Sequence, residues 1–152
     1  MQNKIQQIVI SGIAATIVMT LLMMLGAAMG MPKMSPPDML AAMTGMPVAM
    51  GWVMHFLIGI IFAAGYVFLF NKWLKKIGSK VLRGAVYGVI AFVIAQIGFP
   101  VMESIFGSGN VPSPEGSMVL MMIGSIMGHV VFGIVIALLV KSNIPVTKQI
   151  IK

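Results

Sequence analysis

Long uncharged apolar runs alternate with short polar segments along this chain. No residue between Lys4 and Lys33 is charged, and the pattern predicts a helix over 5–28. A second run covers 48–70 and closes at Asn71, Lys72 and Trp73. A third covers 84–101, between Arg83 and Glu103, and a fourth covers 117–140 and ends at Lys141. Each run holds roughly 18–24 residues, enough at about 1.5 Å per residue to cross roughly 30 Å of hydrocarbon. The first run exceeds the usual apolar core of a signal peptide, about 7–15 residues, and no A-x-A site follows it. It therefore reads as a retained helix.

The segments between the runs carry their own signals. In "KMSPPDMLAAMTG", Ser35 is placed as an N-cap, Pro36 as a first helical residue and Asp38 as a first-turn acid, and Gly45 can stop the helix. A short surface helix over 36–44 is expected. "FGSGNVPSPEGS" is turn-rich, and Ser113-Pro114-Glu115 is expected to lead into the fourth span. Gly98-Phe99-Pro100 is a candidate interruption of the third span.

Composition makes lipid the natural solvent. The chain has 152 residues, of which 59% are hydrophobic and 9% charged, and its mean hydropathy is +1.05. Soluble domains carry about 25% charged residues. There is no cysteine, which removes disulfides, thiolate ligands and cysteine nucleophiles together. The expected architecture is all-α: a polytopic membrane protein with four transmembrane helices, in one domain over 1–152. Residues 71–83 form a basic linker and 141–152 a tail.

The net charge of +7 would suggest nucleic acid in a soluble protein. Here it reports membrane orientation, and no nucleic-acid partner is expected. Lys4, Lys72, Lys75, Lys76, Lys80, Arg83, Lys141, Lys148 and Lys152 fall on one side of the four spans. Lys33 falls on the other with all three acids, Asp38, Glu103 and Glu115. The positive-inside rule then puts both termini in the cytoplasm, in a bacterial inner membrane. Trp52 and Trp73 bracket the second span near opposite interfaces.

The order of motifs suggests two tandem hairpins. "GIAATIV" from Gly12 matches "GAVYGVI" from Gly84. "MPKM" at 31–34 matches "FPVM" at 99–102, and "HFLIGII" at 55–61 matches "HVVFGIV" at 129–135. Both units would insert in the same direction, as pseudo-symmetric copies about an axis along the membrane normal. "SGIAATIVMT", "MGMPKM" and "GWVMHFLIG" together resemble an uncharacterised domain-of-unknown-function family of small bacterial four-helix membrane proteins. That resemblance implies four spans and supplies no established activity.

His55 and His129 are the only histidines, and each lies four residues before a glycine, Gly59 or Gly133. Helices in lipid approach closely through small residues. Gly12, Thr16 and Thr20 form such a row, as do Gly84, Gly88 and Ala91 or Ala95. In the simpler reading both imidazoles hydrogen-bond across helices, to Thr16, Thr20, Ser125, Tyr87 or Gln96. In the functional reading they are ligands, because ionisable groups inside a bilayer default to functional candidates. Together they could hold a haem b, or a metal with Met50, Met54, Met118 and Met122, whose thioethers select Cu(I). From the two helix ends, His55 and His129 differ in depth by roughly 7–8 Å. The 17 methionines also have a plainer use as adaptable packing.

No catalytic motif is present, and Glu103 falls too close to the membrane edge to complete a site with the histidines. The chain is therefore not expected to be an enzyme. Three classes remain: a haem or metal protein, an accessory or structural subunit of a larger membrane complex, and a small oligomeric transporter or channel. Its partners would be the lipid bilayer and either copies of itself or a membrane complex. Reporter fusions after Lys152 and within 74–80 are expected to read as cytoplasmic, and one within 107–112 as external. A periplasmic C-terminus would contradict this orientation.

Overall fold

The computed structural model describes residues 3–106 and 116–141, and among them every regular element is helical. Helix α1 spans Lys4–Ala28. Helix α2 spans Pro36–Thr44, and α3 is a continuous helix over Val48–Leu74 that widens into a π-helical turn over Tyr66–Phe70. Helices α4 and α5 span Lys80–Phe106 and Met118–Leu139. Four of the five, all but α2, are long and apolar enough to cross a membrane.

These helices are apolar all round, which is what lipid on the outside requires. Leu21, Leu57, Ile61, Leu69, Val93, Ile97, Val119 and Leu138 point outward and are exposed. The inward positions are small or polar instead: Ser11, Gly12, Ala15 and Thr16 on α1, and Gly84, Gly88 and Ala91 on α4. Helix α1 packs against both α3 and α5, α4 packs most extensively against α5, and α2 lies on the start of α3.

Backbone contact at glycine makes both hairpins. A Cβ on Gly12 would lie 2.7 Å from Ile60 Cα, and one on Gly84 would lie 2.5 Å from Ile134 Cα. A Cβ on Gly59 would strike the Thr16 hydroxyl, and one on Gly133 would strike the Gly84 carbonyl. At Gly51 it would strike the Pro37 carbonyl, so glycine also seats α2. None of these positions has room for a larger residue without separating helices.

Several ends differ from the sequence-based boundaries. The third span runs from Lys80 to Phe106, through Gly98-Phe99-Pro100 without interruption. Pro100 forfeits one backbone bond to the preceding turn, which neighbouring bonds in a long helix tolerate. The second span continues through Leu74, which shortens the non-helical linker to 75–79. Ser35 holds the N-cap position of α2 without a side-chain bond, while Gly45 ends the helix in the left-handed region at φ 67°. A capping box opens α1: Gln6 N–H donates to Asn3 Oδ1 at 2.8 Å, and Asn3 N–H donates to Gln6 Oε1 at 3.1 Å. The expected start at Ser113-Pro114-Glu115 and the tail after Lys141 lie outside the described residues.

Gly59→Leu and Gly133→Leu are expected to cost roughly 1–3 kcal/mol each by overpacking. Gly98 has nothing within 4 Å of an added Cβ, so Gly98→Ala should leave stability unchanged or raise it. Thermal unfolding in detergent reads both, and equal melting temperatures for all three variants would contradict the seams.

Candidate functional site

Each seam leads to a histidine. Helices α1 and α3 are antiparallel, so contacts that advance along α1 retreat along α3. Gly12 meets Ile60, Thr16 meets Gly59, and Thr20 Oγ1 meets His55 Nε2 at 3.1 Å. In α4 and α5 the steps are Gly84 against Ile134, Gly88 against Gly133 and His129, and Phe92 against the His129 ring at 5.7 Å.

The third step separates the two imidazoles. His55 finds a hydroxyl on its neighbouring helix. His129 finds the Phe92 ring at the matching place, and its Nδ1 turns to the Ser125 carbonyl of its own helix at 2.8 Å. A carbonyl oxygen accepts only. Nδ1 of a neutral His129 therefore carries the hydrogen, and Nε2 holds the lone pair. Among the described residues, His55 Nδ1 and His129 Nε2 make no hydrogen bond, and neither nitrogen is sealed from the surface. Trp52 and Phe56 flank His55 at ring separations of 6.3 and 6.2 Å.

Depth follows from a contact between α3 and α5. The Phe62 and Phe132 rings meet edge to face at 6.3 Å. His55 precedes Phe62 by seven residues and His129 precedes Phe132 by three. At about 1.5 Å per residue, His55 sits about 6 Å nearer the α2 end. This agrees with the offset read from the helix ends.

The methionines divide differently from the sequence reading. Met50, Met118 and Met122 are exposed on the bundle surface and Met54 is half-buried. Met19 and Met23 instead pack where a Cβ on Gly128 would be, at 3.4 and 3.7 Å, beside His129. Gly128 and the α1 repeat of 16, 19, 20 and 23 were the available sequence signal. Glu103 is exposed. Among the described residues no group of three His, Asp or Glu side chains converges on a metal-sized site.

A second polar cluster, at the Lys-rich end, was not anticipated. Tyr87 donates its hydroxyl to the Phe62 carbonyl at 2.5 Å, one turn before the π-helical segment. The Tyr66 and Tyr87 rings lie 5.0 Å apart, and Arg83 lies beside Tyr66. Arg83 is only 7% exposed, and its Nη2 donates to the Ile77 carbonyl at 2.9 Å. Arg83 and Tyr87 share a helix face four residues apart, a signal hidden because Arg83 had been counted as a linker charge. Lys141 N–H donates to Gln7 Oε1 at 3.0 Å and closes the same end.

Fold and site together define a small helical protein with four membrane-length helices and polar side chains held at glycine seams. The chain belongs to the family of unknown function DUF6789, whose model matches residues 2–147. None of the curated proteins and none of the solved structures matches it.

Thr20→Val removes the His55 bond and is expected to cost about 0.6 kcal/mol, the average for interhelical bonds in lipid. Tyr87→Phe removes the bond to Phe62 and should cost about 1 kcal/mol. Unfolding in detergent measures both, and unchanged stability in Tyr87→Phe would contradict the clamp between α3 and α4.

Proposed function

We propose that the protein is a small membrane protein that binds a soft transition-metal ion, Cu(I), between His55 and His129. One observation carries this reading. The bundle ties one nitrogen of each imidazole, through Thr20 and through the Ser125 carbonyl, and leaves the other nitrogen available. Bonds of this kind orient metal-ligating histidines and fix the tautomer. Two imidazoles, with no third His, Asp or Glu side chain converging on them among the described residues, suit Cu(I) better than zinc or a non-haem iron.

Haem fits less well. The cavity beside Met31 and the one beside Trp73 border neither histidine, so neither offers a space for a macrocycle between them. In this reading the metal lies within a cytoplasmic membrane, both termini are cytoplasmic, and the α2 end faces out. The matching seam steps further support an origin of the two hairpins as tandem copies.

The second reading is that of an accessory or structural subunit, in which the imidazoles only pack. The completed Thr20–His55 bond favours it. Purified protein from copper-supplied cells separates the two. Metal binding predicts colourless protein with one nitrogen-ligated copper ion per chain, and that ion is lost in His55→Ala and in His129→Ala. Copper-free protein, with His129→Gln as stable as the parent, would support packing instead.

A further inference from the structure

A methionine-lined cavity of about 300 Å³ opens at the α2 end of the bundle, between the end of α1, the 29–34 segment and the start of α5. Five of its eleven lining residues are methionine: Met23, Met29, Met31, Met34 and Met127. The whole chain has 17 methionines in 152 residues, so thioethers are concentrated here about fourfold. The remaining lining side chains, Leu22, Leu25, Pro32 and Leu120, offer no donor atom to a ligand. Among the described residues that line this cavity, sulfur is the only side-chain atom that could coordinate an ion.

Glycines hold one thioether in the wall. The Met31 sulfur lies 3.2 Å from where a Cβ on Gly26 would be, and its methyl lies 3.2 Å from the corresponding point on Gly124. Met31 thus reaches from the loop into a notch between α1 and α5. Met23 lines the cavity and packs at the position of Gly128, the chain neighbour of His129. Thr20, one turn before Met23, bonds His55.

We propose that this cavity is a second site for a soft monovalent cation of the Cu(I) or Ag(I) class, and that it passes the ion inward to His55 and His129. The handover rests on the histidine reading above; the cavity site does not. Methionine has three rotatable bonds, so several thioethers in one wall can turn toward a common ion. Neutral sulfur ligands release an ion more readily than thiolates would, as a transfer site requires. The ion keeps its oxidation state throughout, and the step exchanges only ligands.

The test uses the full chain in detergent, loaded with Cu(I) under reducing, oxygen-free conditions. X-ray absorption at the copper edge distinguishes sulfur from nitrogen ligands, and metal analysis counts bound ions. Leucine conserves the volume of methionine, so Met23→Leu, Met31→Leu and Met34→Leu are combined. The triple variant is expected to lose the sulfur shell and one bound ion per chain while keeping the nitrogen-ligated ion. His55→Ala with His129→Ala should keep the sulfur-ligated ion. Single Met31→Leu, should the triple variant fold poorly, is expected to weaken the sulfur shell. Wild-type protein with nitrogen ligands alone, or a well-folded triple variant with an undiminished sulfur shell, would overturn the cavity site. Sulfur ligation without any nitrogen-ligated ion would overturn the histidine reading and leave the cavity site standing.

Discussion

The structure depends on backbone contact between helices at glycine. In lipid there is little hydrophobic gain from bringing two apolar helices together, so packing and hydrogen bonds must do it. Gly12 against Ile60 and Gly84 against Ile134 bring main chains to a distance at which side chains one turn away must also meet. That forces Thr20 onto His55 and Phe92 onto His129. Bulkier seams would separate the helices and leave both imidazoles facing lipid.

The two seams are alike in backbone and unlike in side chain. A hydroxyl at position 20 gives His55 a bond to the neighbouring helix. A phenyl ring at position 92 gives His129 none, so its Nδ1 satisfies itself on Ser125. One geometry thus yields two differently oriented imidazoles with different free nitrogens. The tyrosine–arginine cluster closes the opposite end of the α3–α4 contact, where the π-helical turn brings Tyr66 beside Tyr87. The histidines lie toward the α2 end of the bundle.

Much of the architecture was legible because charge marks membrane spans so sharply. The uncharged gap from Lys4 to Lys33 contains α1, and Ser35, Pro36 and Gly45 bound α2 at Pro36–Thr44. Helix ends near the interface were less legible. Polar residues such as Lys72 and Glu103 sit inside helices that continue past the hydrocarbon, so charge ended the sequence-based spans too early. Thr20 stood among the named partners of the histidines, but the choice between Thr20 and Ser125 depended on which helix supplied a ring. Arg83 read as a linker cation because its burial depends on the linker folding back, so that Ile77 accepts from its guanidinium. The methionine cavity escaped because Met31 and Met34 lie in a loop, where helical periodicity carries no information.

The central claim is that the seams present His55 Nδ1 and His129 Nε2 to one ion. Histidine-selective ¹⁵N NMR of the detergent-solubilised protein, before and after loading with spin-½ silver(I), tests it most directly. Before loading, His129 is expected to carry its proton on Nδ1. After loading, His55 Nδ1 and His129 Nε2 should both show coupling to the same silver nucleus. A His129 protonated on Nε2, or silver coupled to neither nitrogen, would contradict the account.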